Sequence, residues 1–199
     1  MIHKNLILIL IVVGGLFLFG CRHEEAEPKI KIILEDNREI RIELFPDKAP
    51  KTVKNFLNHV DSGYYNGVVI HQAIEDVFIQ SGGYYIKDET IEEKPTVATI
   101  DGEFSSNGFT GNDLKHDVGV ISMARRVDDV NSASTKFFIC SSKNEALDGQ
   151  YAAFGKTMDE ESARLVIELS KAPTRDINEQ FQEFPFPTIV IKKIERIKP

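Results

Sequence analysis

The chain has 199 residues, of which 42% are hydrophobic and 28% are charged, and its formal net charge at pH 7 is −7. This length fits one globular domain with a short appendage, because domains typically contain about 100–200 residues. The hydrophobic fraction is large enough for a sizeable core. The negative charge argues against a nucleic-acid-binding protein, which needs a concentrated basic face.

Residues 1–20 are predicted to be a secretory signal peptide rather than part of the fold. One lysine, Lys4, precedes an almost unbroken apolar run from Leu6 to Phe19. A basic start followed by such a run is typical of a signal peptide, and the run is short for a membrane-spanning helix, which needs about 20 residues. An uncleaved anchor helix is the alternative interpretation of the same pattern.

The end of this segment, Leu-Phe-Gly-Cys at 18–21, resembles the bacterial lipoprotein signal, in which the cysteine is acylated and becomes the mature N-terminus. Phe19 is bulkier than the residue that usually precedes the glycine. On this interpretation Cys21 is the lipid anchor, on the extracytoplasmic side of a bacterial membrane. Residues 21–28 then form a polar tether to a domain at 29–199. Two or more acyl chains would hold the protein firmly, whereas one chain binds only marginally.

The second cysteine, Cys140, is predicted to be a buried, unreactive thiol. Only two cysteines occur, and lipid on Cys21 leaves Cys140 without a disulfide partner. Cys140 ends the apolar run Phe-Phe-Ile-Cys, which favours an interior position over a nucleophilic role.

The first part of the domain is predicted to be a β-hairpin followed by a helix. Residues 29–34 and 39–45 alternate between apolar and charged side chains, and Asp36-Asn37 between them is a turn signal. Residues 52–62 then repeat apolar residues at helical spacing before Gly63, which predicts an amphipathic helix.

The remainder is predicted to be mainly strands joined by Gly-, Asn- and Asp-rich loops. A second hairpin is predicted at 67–73 and 77–80, ended by Gly82-Gly83, and a second helix at 159–169. Further strands are predicted at 97–100, 118–124, 137–141, 152–154 and 189–197. About eight short strands with two helices fit a closed antiparallel barrel, because closure removes exposed sheet edges. The pattern alone does not distinguish this barrel from a sandwich.

Several chemistries are excluded by the sequence. It contains neither a Gly-x-Ser-x-Gly nucleophile elbow nor a Gly-rich phosphate loop that ends in Gly-Lys-Ser/Thr. The histidines His59, His71 and His116 lack the spacing of metal ligands and have no cysteine pair nearby. Asp128-Asp129 is better explained as a solvated loop than as a cation site. No metal or cofactor is therefore expected.

Three segments carry the informative motifs. Residues 70–74 and 78–83 read Ile-His-Gln-Ala-Ile and Phe-Ile-Gln-Ser-Gly-Gly. Residues 122–124 and 134–139 read Ser-Met-Ala and Ser-Thr-Lys-Phe-Phe-Ile, and 147–156 begin Leu-Asp-Gly and end Phe-Gly-Lys. In these segments the sequence resembles the cyclophilins, whose signatures are Phe-His-Arg-x-Ile…Phe-x-x-Gln-Gly-Gly, Ser-Met-Ala…Ser-Gln-Phe-Phe-Ile and Leu-Asp-Gly-x-x-x-x-Phe-Gly-Lys. Each motif alone is weak, but all three occur in order, and the resemblance covers residues 29 to 198.

The resemblance implies a closed eight-stranded antiparallel β-barrel capped by two α-helices, and a monomeric peptidyl-prolyl cis-trans isomerase that binds proline-containing polypeptides. By position, Gln80 corresponds to the glutamine that bonds the substrate backbone, and Ala124 and Arg125 to the strand that pairs with extended peptide. Tyr151 stands where many members have histidine, and its hydroxyl can still donate. The residues that correspond to the apolar proline pocket are Phe78, Met123, Phe138 and Leu147. For Phe78, Met123 and Phe138, plain core packing is the alternative.

Departures from the family pattern affect the expected activity. Gln72 stands where the family has the arginine that donates to the prolyl nitrogen, so a neutral donor replaces a guanidinium. Val77 replaces a phenylalanine, which opens the pocket, and Lys136 replaces a glutamine. Ala146 replaces an aromatic residue that contributes to cyclosporin binding, so weak binding of that drug is expected. One hypothesis is that Lys136 or Arg125 supplies part of the missing positive charge; the alternative is that both are exposed and uninvolved.

Two functions remain open from the sequence, together with a purely structural envelope role. One is an isomerase that assists the folding of exported proteins, with turnover reduced by Gln72. The other is a catalytically weak module or chaperone at the cell envelope that binds proline peptides. The segment Pro173–Pro187 could contact a partner, although a packed loop that braces the last strand is favoured.

Overall fold

Antiparallel strands dominate the structure. The computed structural model describes residues 27–95 and 97–198, so the predicted signal peptide and most of the predicted tether lie outside the described residues. Two α-helices are present there, α1 at Pro50–Asp61 and α2 at Glu160–Ser170. The strands are β1 Lys29–Leu34, β2 Glu39–Leu44, β3 Val68–Ile74, β4 Phe78–Lys87, β5 Thr90–Glu93, β6 Val120–Met123, β7 Phe137–Cys140, β8 Ala153–Thr157, β9 Thr174–Arg175, β10 Phe184–Pro185 and β11 Val190–Arg196.

Eight of these strands close into an antiparallel barrel. They follow one another around the barrel in the order β3-β11-β1-β2-β8-β6-β7-β4, and pairing of β4 with β3 completes the ring. Each barrel strand therefore has a hydrogen-bonded neighbour on both sides, which satisfies its backbone groups. Strand β5 adds to β4 outside this ring. The predicted closed barrel is confirmed, and the sandwich alternative is excluded.

The two helices pack on the barrel through their apolar faces. Helix α1 begins with Pro50, whose fixed φ and missing N–H suit the first helical position, and Gly63 follows it with a φ of 70°. Helix α2 begins after Asp159, whose side chain accepts a hydrogen bond from Ser162 N at 2.8 Å and caps the helix. In the part of the chain that is described, neither helix is long and apolar enough to span a membrane.

Aromatic rings fill the contact between α1 and the barrel. Phe56 of α1 lies 5.1 Å from the ring of Tyr65, 5.1 Å from Phe154 and 5.5 Å from Phe137, measured between ring centroids. The buried phenol of Tyr65 donates to the carbonyl oxygen of Thr135 at 3.0 Å, so its polar group is satisfied. Burial raises the pKa of that phenol well above its usual value.

Strand β4 is longer than predicted. The prediction that Gly82-Gly83 ends the strand is wrong, because β4 continues to Lys87. Both glycines have positive φ, and a Cβ on Gly82 would lie 2.4 Å from the carbonyl oxygen of Thr135. Gly82 thus permits a close approach of two backbone segments, whereas Gly83 lies against the side chain of Lys136, and neither glycine breaks the strand.

Two further local predictions need correction. The strand predicted at 97–100 is not formed; only Ile100 makes an isolated bridge, to Ala133. Strand β5, Thr90–Glu93, was not predicted, because its charged and exposed residues give no apolar alternation, and pairing with β4 alone places it.

The segment from Pro173 to Pro187 is packed against the barrel. It contains the short hairpin of β9 and β10, and Ala73 N of β3 donates to the carbonyl of Glu183 at 3.0 Å. Phe181 and Phe184 form a second apolar cluster with Val69 and Tyr84, against which Val190 of the last strand also packs. This is the packed arrangement that the sequence favoured.

Cys140 is buried, as predicted. It lies at the end of β7 and is a free thiol with no exposed surface. Burial raises its pKa to about 12, so the nucleophilic thiolate is not formed near neutral pH.

A buried carboxylate fastens the start of helix α1 to the following loop. Glu103 is 2% exposed, and its two oxygens accept hydrogen bonds from Lys51 N at 2.9 Å, Thr52 N at 2.8 Å and Thr52 Oγ1 at 2.7 Å. The first amides of a helix have no partner within the helix, and a carboxylate there also interacts favourably with the helix dipole.

We expect Glu103→Ala to lower the free energy of unfolding by about 2–3 kcal/mol, since it leaves buried donors without an acceptor. Urea denaturation followed by circular dichroism measures this value. Asp101→Ala is the control, because Asp101 bonds the ammonium of Lys51 at 2.6 Å on the exposed surface of the same loop and should matter far less. Equal losses in the two variants would contradict the assignment.

Candidate active site

Three polar or aromatic residues of the predicted site form a row across adjacent strands. Gln72 of β3 is opposite Gln80 of β4, and Gln80 is opposite Phe138 of β7. Ser122 of β6 extends the row, because it is opposite Phe138. Directly opposed residues in a sheet project to the same face, so these side chains are neighbours on the outside of the barrel.

Phe138 is the centre of an aromatic cluster in this row. Its ring centroid lies 5.4 Å from that of Phe78 and 5.5 Å from that of Tyr151, which meets it edge-on. Phe138 is 3% exposed, whereas Phe78 and Tyr151 are half-buried. The buried ring of Phe138, with the half-buried rings of Phe78 and Tyr151 beside it, forms an apolar surface that a small ring such as proline can contact.

Two more of the predicted substrate-binding residues are half-buried. Val77 comes directly before β4, and Leu147 ends a 3₁₀ turn at Glu145–Leu147. The side chain of Asn144 caps that turn by accepting from Ala146 N at 3.2 Å. Leu147 is thus carried on a capped turn next to Asp148, which is bonded to the site through His116.

Met123 is not brought together with the aromatic cluster. It is opposite Phe137 on β7, one residue away from the Ser122–Phe138 pair, so its side chain points to the other face of the sheet. There it lies in the main core with Phe137 and is 1% exposed. The position of the Met123 side chain corresponds to the core-packing alternative.

The polar side chains beside the cluster are hydrogen-bonded to each other. Gln80 Nε2 lies 3.1 Å from His71 Nε2 and 3.4 Å from Gln72 Oε1. Burial, assisted by the positive charge of Lys136, lowers the pKa of His71 to about 3, so the ring is neutral and can accept from the Gln80 amide. Within residues 27–95 and 97–198, nothing accepts a hydrogen bond from Gln72 Nε2. The Gln72 side chain therefore accepts a hydrogen bond at its amide oxygen, and its amide NH₂ group remains available to donate to a ligand.

Lys136 is anchored at the edge of this network. Its ammonium bonds the Tyr84 hydroxyl at 2.5 Å and Glu93 Oε1 at 2.9 Å, and it lies 4.0 Å from the centroid of the Tyr84 ring. Burial lowers the pKa of Lys136, but hydrogen bonds to Tyr84 and Glu93 outweigh this and raise it overall, so the side chain stays charged. It makes no hydrogen bond to Gln72.

Arg125 is held against aromatic faces on the opposite side. Its guanidinium carbon lies 4.7 Å from the ring centroid of Tyr151 and 5.5 Å from that of Phe104. Arg125 Nε donates to the carbonyl of Gln150 at 3.1 Å. Stacking of this kind restricts the guanidinium to one place beside Tyr151.

A buried hydrogen-bonded chain behind Phe138 was not predicted from the sequence. His116 Nδ1 lies 3.0 Å from Asp148 Oδ1, His116 Nε2 lies 3.2 Å from Ser122 Oγ, and the His116 ring stacks on Phe138 at 6.0 Å. Ser122 has no exposed surface, so the arrangement supports Phe138 and cannot serve as a nucleophilic triad. Its only sequence signal was that Ser122 and Asp148 lie inside the second and third motifs.

Tyr84 is the other contact that the sequence did not indicate. Its ring meets those of His71 and Phe181 edge-on, each at 4.9 Å, and its hydroxyl also accepts from Gln180 Nε2 at 2.9 Å. Tyr84 therefore connects the segment 173–187 with His71 and Lys136. Its place directly after Gly82-Gly83 was the available signal.

The comparisons with known proteins agree with this fold. The family model described as cyclophilin type peptidyl-prolyl cis-trans isomerase/CLD matches residues 29–196. A peptidyl-prolyl cis-trans isomerase of Acinetobacter baylyi is 33% identical over 171 residues, which is 83% of each chain. Peptidyl-prolyl cis-trans isomerase A of Dickeya dadantii is 34% identical over 164 residues, which is 80% of each chain.

A solved structure extends the likeness to three dimensions. A cyclophilin-type isomerase from Cryptosporidium parvum, crystallised in the presence of the dipeptide Ala-Pro, aligns with a TM-score of 0.68 and 29% identity. The alignment covers 86% of this chain and 99% of that one. Barrel, motif order and relatives lead to one conclusion: this chain belongs to the cyclophilin family and is a peptidyl-prolyl cis-trans isomerase.

Proposed function

We propose that this isomerase acts on X–Pro bonds of exported polypeptides, at the surface formed by Phe78, Phe138, Leu147 and Tyr151, with Gln72 as the donor to the prolyl nitrogen. The observation that carries the proposal is the row from Gln72 through Gln80 to Phe138, in which a free amide donor lies beside an apolar surface. Turnover is lower than in a cyclophilin that keeps the arginine.

The chemistry needs no covalent step. Rotation about the X–Pro amide has a barrier of about 18–20 kcal/mol, because the twisted state loses C–N double-bond character. The prolyl nitrogen regains a lone pair in that state, so a donor such as the Gln72 amide bonds it more strongly twisted than planar. This is selective binding of the transition state, and exclusion of water by the apolar walls strengthens the bond.

The backbone beside the site is suited to hold the peptide extended. Ala124 N already donates to the carbonyl of Lys136 at 2.9 Å. The Ala124 carbonyl and the Arg125 amide have no backbone partner among the described residues, so these two groups would pair with substrate. Gln80, fixed by His71, would bond the peptide next to the proline.

The size of the expected loss in isomerisation rate follows from the replacement of arginine by Gln72. A charge-assisted hydrogen bond contributes about 1.5–3 kcal/mol and a neutral one about 0.5–1.5 kcal/mol. The difference of about 1–2 kcal/mol in the barrier corresponds to roughly a five- to thirty-fold lower rate. Uncatalysed exchange takes tens of seconds, so even a slow isomerase accelerates folding.

The cellular location follows from the N-terminal sequence. The basic start, the apolar run and Cys21 support export and lipid anchoring at the envelope, where newly exported chains fold. A protein held there by acyl chains would meet these substrates directly.

We expect Gln72→Arg to raise kcat/KM by about five- to thirty-fold over wild type in a protease-coupled isomerisation assay of the detergent-solubilised full chain. Gln182→Arg, which adds the same charge on the exposed part of segment 173–187, should leave the rate unchanged. If wild type does not exceed the buffer rate while Gln72→Arg accelerates exchange, the protein is instead a peptide-binding module.

The hypothesis that Lys136 or Arg125 compensates for the missing charge is tested in the same assay. We expect Lys136→Ala or Arg125→Ala to lower kcat/KM by about two- to five-fold, the range of a partly exposed charge interaction. Lys156→Ala removes an exposed charge on β8 and is the control. Unchanged rates in both test variants would end the hypothesis.

The anchor makes a separate prediction. We expect Cys21→Ser to abolish acylation, detected by mass spectrometry of the mature N-terminus, and to move the protein from the membrane to the soluble fraction. Cys140→Ser removes the other thiol and should leave the protein in the membrane fraction. Retention of Cys21→Ser in the membrane, with residues 1–20 uncleaved, would support the anchor-helix alternative.

A further inference from the structure

An open groove of about 450 Å³ adjoins the candidate active site. It shares Gln80, Ala124, Arg125 and Lys136 with that site, so a peptide bound there would continue into it. The charged and aromatic residues that complete its lining are Glu93 at the end of β5, Lys94 directly after it, Tyr64 and Arg126. We call it the basic groove.

Four of its side chains are basic and one is acidic. The single carboxylate, Glu93, is used by Lys136, with 2.9 Å between the charged atoms. Arg126 forms ion pairs with Asp129 at 2.8 Å and Asp128 at 3.5 Å. Among the described residues, no carboxylate forms an ion pair with either of the two remaining cations, Lys94 and Arg125. The groove thus has a surplus of positive charge in a chain whose formal net charge is −7.

Lys94 is held in place by groups that carry no net charge. Its ammonium donates to the carbonyl oxygens of Tyr64 at 2.5 Å and Asn66 at 2.8 Å, and it lies 5.3 Å from the centroid of the Tyr64 ring. Carbonyl dipoles orient a cation without neutralising it. Because the ammonium is partly buried, its charge is also less screened by solvent than that of a surface lysine.

Arg125 is fixed in a similar way. Its Nη1 donates to the carbonyl of Arg126 at 2.8 Å, in addition to the bond from Nε to Gln150, and aromatic rings cover its flat face. Both cations are therefore oriented before a ligand arrives, which reduces the entropy lost on binding.

We propose that the basic groove binds the carboxylate of an Asp or Glu residue close to the proline, so that acidic X–Pro segments are preferred substrates. The inference rests on the proposed function, because the groove acts on a peptide that reaches Gln80 and Ala124. Two oriented cations without counter-ions favour an anion, and they disfavour a basic side chain by the same interaction. Because the molecule as a whole is negatively charged, it repels acidic peptides elsewhere on its surface. The preference for an acidic side chain therefore applies only within the groove.

A peptide series tests the preference. Single Glu, Gln and Lys residues are moved through the three positions before and the three after an Ala-Pro pair, and kcat/KM is measured with the detergent-solubilised full chain. We expect Glu to exceed Gln by about two- to five-fold at one or two of these positions, and Lys to fall below Gln there. The Glu advantage should shrink as salt is raised.

Two matched variants test whether the groove causes the preference for Glu. The quantity compared is the ratio of kcat/KM for the Glu peptide to kcat/KM for the Gln peptide. Lys94→Gln removes the charge and keeps a neutral donor on a side chain that is one atom shorter, and we expect it to bring the ratio close to one. Lys54→Gln removes the same charge from an exposed position of α1 outside the groove and should retain the wild-type ratio. Thermal melts of both variants show whether they are folded.

The outcomes separate this inference from the proposed function. The proposed role of the basic groove is wrong if all peptides are turned over and Glu and Gln give equal rates. It is also wrong if the Glu advantage persists in Lys94→Gln. Neither result affects the assignment of the protein as an isomerase. If no peptide is turned over, the proposed function fails, and fluorescence anisotropy with labelled Glu and Gln peptides decides the inference. Tighter binding of Glu that is lost in Lys94→Gln supports the groove, and equal binding refutes it.

Discussion

Pairing of β3 with β4 is the interaction on which the rest of the molecule depends. It closes the barrel, and its register sets Gln72 opposite Gln80, which in turn lies opposite Phe138 on β7. A shift of one residue would turn these side chains toward the core and bring Ala73 and Ile79 to the surface. Gly82 allows the fold to keep this register, because only a residue without Cβ permits the approach of Thr135.

Burial then decides the electrostatic state of the site. His71 lies deep enough to be neutral, which lets it fix Gln80 by accepting a hydrogen bond. Lys136 keeps its charge because Tyr84 and Glu93 bond it, whereas Lys94 and Arg125 are oriented by carbonyls and rings alone. Charges that look equivalent in the sequence therefore differ in effect. Tyr84 links this pattern to the segment 173–187, whose Phe181 packs on it.

Much of the secondary structure could be predicted because its cause is local. Alternation over 29–34, helical spacing after Pro50 and the capping Asp159 each act within a few residues. The errors have non-local causes. The sequence predicts that Gly82-Gly83 ends a strand, because it does not show that a distant segment of backbone lies close to Gly82. Strand β5 forms only because β4 extends far enough to pair with it. Met123 differs from these, because a local cause, the alternation of side chains along β6, places it in the core although it lies within a motif.

The sequence by itself indicated the family, all eight barrel strands together with one at 97–100 that does not form, and a glutamine, Gln72, where the family motif has arginine, because motifs and periodicity are properties of neighbouring residues. Only the tertiary structure decided which side chains meet. It placed Ser122, His116 and Asp148 behind Phe138, and it separated paired cations from unpaired ones in the basic groove. Those outcomes depend on contacts between residues far apart in the chain, and such contacts exist only once the barrel has closed.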